Sequence, residues 1–254
     1  MFKKHLFLFL ITSWLFSCQT FYQPQSVKYK DYRLTQTSKQ DIGINTALKP
    51  YADSVNKNMN DIIAVAQEEL VKRQPEGSLG NIMADAMLAI AKEKYNQPID
   101  ASFINFGGIR LQAIPAGNIT RGKLFELAPF DNIIVLQKIE GKVFQQFLNH
   151  ISTRGGWPTA GISWQIKNLP ANQVGKEAVN VLIGGKPLIE TSTYTIALVD
   201  YVANGGDDCE MLKSIPQINN GILFRDAIIT YFSSFTKQGK KIPAITQKRV
   251  SNAN

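Results

Sequence analysis

The sequence predicts an α+β domain in which a mixed β-sheet is flanked by helices. Apolar stripes with helical spacing come mostly early in the chain, whereas apolar runs rich in β-branched residues cluster later. No fixed repeat is present, and no internal boundary is visible between Ile42 and Val250. This order of elements argues against a doubly wound parallel fold, in which strands and helices alternate.

The first helix is predicted around a proline. Pro50 suits the first turn of a helix that places Tyr51, Val55 and Met59 on one face. Ile62 to Leu70 is ambiguous between strand and helix, and a strand is favoured at its start.

The next helix is predicted from Ser78 onward, with Ser78 as its N-cap and an apolar stripe from Leu79 to Ile90. Gly80 and Asn81 are poor helix formers in its first turn. At a helix N-terminus, however, their backbone N–H groups could face a ligand.

The remaining elements follow from capping residues and apolar periodicity. Thr120 is the predicted N-cap of a short helix that ends at Leu127, and Gly184-Gly185 marks a turn between later strands. The other predicted helices cover 143–151 and 222–235, and the other predicted strands cover 103–104, 132–139, 162–166, 179–183 and 194–199.

The N-terminal residues predict an exported lipoprotein. Lys3 and Lys4 precede an apolar run from Leu6 to Phe16 that is too short to span a bilayer comfortably. Cys18 follows Leu15-Phe16-Ser17, a pattern that resembles a bacterial lipobox, in which the cysteine is lipidated. We expect residues 1–17 to be a lipoprotein signal, Cys18 to be lipidated, and residues 18–41 to be a tether. The protein would then be periplasmic or attached to the outer membrane, through the lipid alone. A simple signal peptide or an uncleaved anchor is the alternative.

Charge and residue counts limit the chemistry of the chain. Its formal net charge of +8 is dispersed, so we expect no nucleic-acid partner. The only histidines are His5 and His150, which excludes a histidine-rich metal cluster, and we expect no cofactor in this chain. The only cysteines are Cys18 and Cys209, so lipidation of Cys18 would exclude an intramolecular disulfide.

A loop after the apolar run Phe103-Ile104 combines glycines with an arginine. Gly107 and Gly108 let the backbone turn tightly and approach a ligand, because no Cβ is in the way. Arg110 offers a planar fork of donors suited to phosphate or carboxylate. By itself the pattern is a weak signal, and its spacing favours an ordinary strand-to-loop turn with a solvated arginine.

Two further segments add aromatic rings and a carboxylate. Phe130 precedes an apolar strand and is a candidate stacking platform for a planar base. Tyr201 precedes a glycine turn, and Asp207 follows it in a position where a carboxylate could accept hydrogen bonds from a sugar diol. Taken alone, the second segment is better explained by an Asn-Gly turn with solvated acidic residues.

Read in order, five motifs resemble the C-terminal domain of the 5'-nucleotidase family, which includes periplasmic UDP-sugar hydrolases and cyclic-nucleotide phosphodiesterases. The resemblance extends from roughly Pro50 to Val250 and implies a single 5'-nucleotidase C-terminal-like domain over residues 42–254. The motifs are SLGNIMADAM at 78–87, NFGGIR at 105–110, GNIT at 117–120, PFDN at 129–132 and ANGGD at 203–207.

The resemblance also implies that catalysis and nucleotide binding belong to separate domains. In that family an N-terminal metallophosphatase domain carries two metal ions and a catalytic His–Asp dyad, and the C-terminal domain binds the nucleotide and delivers it by a large rotation. By this resemblance Arg110 faces the phosphates, Phe130 and Tyr201 sandwich the base, and Asp207 takes the ribose hydroxyls. The substrate-binding residues that it implies are Asn105, Gly107, Gly108, Arg110, Phe130, Tyr201, Gly206 and Asp207.

The sequence departs from the family pattern at several positions. Phe106 stands where the first of three glycines is usual, and Tyr201 replaces a phenylalanine. Pro75 stands at about the offset of a further arginine, with Arg73 slightly upstream, so that contact is not carried over. Asp208-Cys209 replaces a glycine and an aromatic residue, which leaves recognition beyond the ribose open.

No catalytic residue is predicted in this chain. The sequence has no Asp-x-His or Gly-Asn-His motif, and two-metal hydrolysis needs a cluster of such ligands. The leading hypothesis is therefore the recognition half of a split 5'-nucleotidase, inactive alone and partnered by a metallophosphatase chain that holds divalent metals. A stand-alone nucleotide- or nucleoside-binding lipoprotein is the second hypothesis. A degenerate structural domain is the third, and the retained motif residues argue against it.

Overall fold

The computed structural model describes residues 26, 28–33, 35, 38–170, 173 and 175–253. The predicted signal, Cys18 and half of the predicted tether lie outside these residues. The chain divides into two units, residues 1–47 and residues 48–254, and the boundary falls inside helix α1 (Ile42–Met59). Of the helices in the described ranges, none is both long and apolar enough to cross a membrane.

Helix α1 begins eight residues before Pro50, which lies inside the helix and not in its first turn. The prediction of its start was wrong because a local cap at Asp41 starts the helix earlier, where the Asp41 carboxylate accepts a hydrogen bond from the Ile44 N–H at 3.0 Å. The predicted apolar face is solvent-facing, since Tyr51 and Val55 are 73% and 55% exposed.

The strands and helices alternate irregularly along the rest of the chain. The strands are β1 (Ile62–Ala66), β2 (Leu70–Val71), β3 (Ala101–Phe103), β4 (Ala113–Ile114), β5 (Gly117–Thr120), β6 (Ile133–Glu140), β7 (Thr159–Ala160), β8 (Ile162–Asn168), β9 (Lys176–Ile183), β10 (Lys186–Pro187), β11 (Thr193–Val199), β12 (Gln217–Leu223) and β13 (Val250–Asn252). The helices after α1 are α2 (Ser78–Tyr95), α3 (Arg121–Leu127), α4 (Gly141–Thr153), α5 (Asp200–Ala203), α6 (Glu210–Lys213) and α7 (Phe224–Lys237).

Two sheets form the framework, and the predicted α+β class is confirmed. The larger sheet has the strand order β12-β6-β11-β3-β7 and is mixed, because β11 and β3 run parallel while the other neighbours run antiparallel. The second sheet has the order β10-β9-β8-β13, in which β8 and β13 run parallel. The remaining strands form two separate two-stranded sheets, β1-β5 and β2-β4.

A cluster of buried rings fixes strand β3 in the core. The Phe103 ring lies 5.1 Å from Phe147 and 5.7 Å from Phe144, both on α4, and 6.2 Å from Trp164 on β8. All four side chains are almost completely buried. Burial of each large ring contributes on the order of 2–3 kcal/mol, so the end of β3 is firmly held.

The structure of helix α2 differs from two predictions. Ser78 is its first residue and Gly77 its N-cap, while the Ser78 hydroxyl accepts a hydrogen bond from the Val71 N–H at 3.0 Å. Gly80 is buried, and a Cβ there would lie 2.6 Å from the Pro158 ring, so this glycine allows close packing on Pro158. Asn81 is likewise buried, and its N–H donates to the Gly77 carbonyl at 3.0 Å.

The predicted N-cap at Thr120 is confirmed, since its hydroxyl accepts a hydrogen bond from the Lys123 N–H at 3.2 Å. The last helix was predicted from Ile222, but Ile222 belongs to strand β12 and α7 begins at Phe224. β12 was missed because its polar middle shows no alternation. Its pairing with β6 is also interrupted between Asn219 and Leu223.

Candidate functional site

The candidate site lies at one edge of the five-stranded sheet, where three loops meet. β11 pairs antiparallel with β6, with Val199 opposite Ile134, so the end of β11 lies beside the start of β6. β3 runs parallel to β11 and therefore ends at the same edge. The sheet topology thus gathers the loops that follow β3, precede β6 and follow β11.

These loops enclose a cavity of about 350 Å³. Seven of the eight predicted binding residues line it together, and Asn132, which was not predicted, lies beside them. The lining residues are Asn105, Gly107, Gly108, Arg110, Phe130, Asn132, Tyr201 and Asp207.

The Asp207 carboxylate is held by two neighbours. Its Oδ2 accepts a hydrogen bond from the Asn105 side-chain amide at 2.8 Å, and its Oδ1 accepts one from the Tyr201 hydroxyl at 3.2 Å. Each carboxylate oxygen has two acceptor sites, so both retain capacity for a further donor. The carboxylate is therefore oriented in the cavity without being saturated.

The eighth predicted residue, Gly206, does not line the cavity and has a steric role instead. A Cβ at Gly206 would lie 2.5 Å from the Tyr201 carbonyl oxygen and 2.6 Å from its ring, so only glycine lets the ring fold back over this backbone. Gly108 acts similarly, because a Cβ there would lie 2.6 Å from the Asn105 Oδ1. At Gly107 a Cβ would meet nothing within 4 Å.

The loop that carries Phe130 is anchored by Arg225 at the start of α7. The guanidinium donates to the backbone oxygens of Ala128 and Phe130 at 3.2 and 3.4 Å and pairs with the Asp131 carboxylate at 2.5 Å. It also lies 4.2 Å from the Phe125 ring centroid. The Phe130 ring itself stays 49% exposed and available for contact.

Two cations lie at the arginine side of the cavity. The Arg110 guanidinium is 5.7 Å from the Phe130 ring centroid and donates to the Gly107 carbonyl at 3.2 Å. Lys72, which the sequence did not single out, donates to the Ile109 carbonyl at 2.8 Å and lies 4.1 Å from the Phe106 ring centroid. Burial, and then the charge of Arg110, lowers the pKa of Lys72.

The residues behind Asp207 are tightly packed. Cys209 is a buried free thiol. Burial, followed by the negative charge of Asp207, raises the pKa of Cys209 to about 12. The thiol therefore stays protonated at neutral pH, which argues against a nucleophilic role.

Metal-binding groups do not gather at this site. Within the described ranges, no group of three or more His, Cys, Asp or Glu side chains could hold a metal ion. The cavity lining contains one carboxylate, Asp207, and no histidine. These side chains do not fit a two-metal centre.

Comparison with known proteins agrees with this architecture. A 5'-nucleotidase from Vibrio vulnificus is 31% identical over 196 residues, which is 73% of this chain and 33% of that enzyme. The trifunctional nucleotide phosphoesterase YfkN of Bacillus subtilis is 32% identical over 191 residues, 72% of this chain and 12% of that protein. The chain thus spans a third or less of the length of these two relatives.

The crystal structure of a 5'-nucleotidase precursor from Thermus thermophilus superposes with a TM-score of 0.71 at 27% identity, over 85% of this chain and 44% of that one. The NAD nucleotidase of Haemophilus influenzae shares the fold, with a TM-score of 0.64 at 19% identity over 84% of this chain and 42% of that one. The sequence model of the 5'-nucleotidase C-terminal domain matches residues 58–214. The chain therefore belongs to the 5'-nucleotidase C-terminal domain family.

Proposed function

We propose that this chain binds a nucleotide or nucleoside and is the recognition half of a split 5'-nucleotidase, whose metallophosphatase is a separate chain. One observation carries the proposal. Two exposed aromatic rings, one oriented carboxylate and one arginine converge on a single cavity. These groups match the base, the sugar and the phosphate of a nucleotide.

The base is proposed to stack between Phe130 and Tyr201. Both rings line the cavity, and they are 49% and 47% exposed, so a planar base can reach their faces. Stacking of a base on an aromatic ring contributes on the order of 1–3 kcal/mol. The Arg225 contacts of the Phe130 loop and the packing of Tyr201 on Gly206 hold the rings in place before the ligand arrives.

The ribose is proposed to donate its hydroxyls to Asp207. Hydrogen bonds to a charged acceptor contribute about 1.5–3 kcal/mol, and a cis diol matches the two oxygens of a carboxylate. Because Asn105 and Tyr201 already orient this carboxylate, little freedom is lost when the sugar binds.

The phosphate is proposed to bind Arg110. The guanidinium is exposed, and its contacts in this structure are one carbonyl and the Phe130 ring. Neither contact neutralises its charge, so a phosphate can gain a charge-assisted pair there. Lys72 adds positive charge nearby.

Hydrolysis is proposed to need the partner chain, because the cavity side chains do not fit a metal centre. The partner would supply the two divalent metals, which activate water and polarise the phosphate. This chain would hold the base and ribose so that the phosphate is presented in one orientation. A stand-alone binding lipoprotein is the alternative, since the same cavity would serve capture of a nucleoside without hydrolysis.

The first prediction tests the aromatic sandwich. Phe130→Ala or Tyr201→Ala should weaken adenosine binding about tenfold or more in isothermal titration calorimetry, because each removes a stacking face. Tyr201→Phe should lose less affinity than Tyr201→Ala, since the ring remains and only the hydroxyl that orients Asp207 is removed. Tyr51→Ala, which removes an equally large exposed ring on α1, is the matched control and should bind as the parent does. Parental binding by both cavity variants, with native circular dichroism, would contradict the sandwich.

The second prediction tests the split enzyme. The purified chain should release no phosphate from nucleotides with or without added divalent metals, and addition of the metallophosphatase partner should restore hydrolysis. Arg110→Ala should lower the restored activity because it removes a charge-assisted contact to the phosphate. Metal-dependent activity of the isolated chain would overturn the proposal. Inactivity with every co-expressed partner, alongside intact ligand binding, would favour the stand-alone binding lipoprotein.

The third prediction tests the proposed lipid anchor. The expressed protein should fractionate with membranes, and Cys18→Ala should release it or block its processing. Cys209→Ala is the matched cysteine control and should leave fractionation unchanged. The lipoprotein proposal fails if the Cys18 variant is processed at another position and still fractionates with membranes.

A further inference from the structure

The backbone of Asp207 adopts an uncommon conformation. Its φ angle is +53°, and that of Asp208 is +58°, so two consecutive non-glycine residues occupy the left-handed region. Aspartate tolerates this region better than most residues, but two consecutive residues in it are uncommon and depend on surrounding contacts. The orientation of the Asp207 carboxylate therefore depends on whatever holds this backbone.

Side chains from the end of helix α4 hold it from behind the cavity. The His150 Nε2 lies 2.8 Å from the Asp207 carbonyl oxygen, and Arg154 forms an ion pair with the Asp208 carboxylate. Neither His150 nor Arg154 lines the cavity. The Cys209 thiol is the other neighbour of the Asp207 carbonyl, at 3.8 Å, and is a weak donor.

The two contacts of the His150 Nε2 call for different tautomers, and we assign the one with the proton on Nε2. A carbonyl oxygen only accepts hydrogen bonds, so the 2.8 Å contact needs a proton on Nε2. The Arg154 Nε lies 3.2 Å from the same nitrogen, but a guanidinium only donates, and Nε2–H cannot accept from it. Arg154 still has Asp208 as its ion-pair partner. With the proton on Nε2, the carbonyl and the guanidinium therefore each keep a contact.

We infer that His150 is a positioning residue for Asp207 and thereby sets selectivity for ligands that carry a ribose diol. The Nε2–H bond fixes the Asp207 carbonyl and with it the strained backbone. The carboxylate then meets Asn105 and Tyr201 in the orientation that faces the cavity. The inference rests on the proposed binding of nucleosides, and it assigns a role to His150, which the predicted site did not include.

Calorimetry on the full chain with adenosine and 2',3'-dideoxyadenosine tests this role. The parent should prefer adenosine, and His150→Ala should bring the ratio of the two affinities close to one while the affinity for dideoxyadenosine changes less than about threefold. His150→Gln should keep the parental ratio, because its side-chain amide can donate to the same carbonyl. Asn149→Ala, on the neighbouring residue of α4, is the matched control.

The outcomes separate the inference from the function on which it rests. If the parent binds neither nucleoside, the proposed function fails. If the parent binds both nucleosides equally, Asp207 does not recognise the diol. The inference about His150 is then wrong, while the proposed binding of the base is unaffected. A parental ratio in His150→Ala overturns the positioning role, and so does an equal loss of affinity for both ligands.

A second measurement covers the case in which His150→Ala does not fold. Long-range ¹H–¹⁵N correlation spectra of the parent report the imidazole tautomer, and His150→Gln assigns the signal because His5 is the only other histidine. The Nε2–H tautomer supports the inference. The Nδ1–H tautomer contradicts it, since the Asp207 carbonyl would then have no donor on this ring.

Discussion

The pairing of β6 with β11 is the constraint on which the site depends. Val199 lies opposite Ile134, and the Asp200 carboxylate ties the ends together by accepting hydrogen bonds from the Ile133 and Tyr201 N–H groups at 3.1 and 2.9 Å. Phe130 lies just before one strand and Tyr201 just after the other. A slip of this register by one residue would reverse the faces of the strand and separate the two rings.

Part of this site could be predicted from the sequence because its motif residues lie just before or just after strongly apolar strands. Phe130 and Tyr201 were candidates on this ground, and the family resemblance supplied their roles. Their proximity follows from an antiparallel strand pair. Lys72 and His150 were missed, since each reaches its partner across the fold and not along the chain. Lys72 contacts a carbonyl 37 residues away, and His150 one 57 residues away.

The predicted tight turn at Gly107 and Gly108 is confirmed, since the Gly108 N–H donates to the Asn105 carbonyl at 2.9 Å within a short 3-10 turn. Neither glycine has a positive φ angle. The sequence did not reveal that Gly108 also leaves room for the Asn105 amide, which orients Asp207. Phe106, where the family has a further glycine, adds a ring that covers the Lys72 ammonium. Such roles depend on neighbours distant in sequence, so residue type alone does not reveal them.

The central proposal is that one cavity binds the base, the sugar and the phosphate of a nucleotide. A crystal structure of the full chain with adenosine 5'-monophosphate tests it most directly. The account predicts the adenine between the Phe130 and Tyr201 rings, the ribose diol within hydrogen-bond distance of the Asp207 carboxylate, and the phosphate on Arg110. Nucleotide bound elsewhere, or an occupied cavity in which the ribose faces away from Asp207, would contradict it.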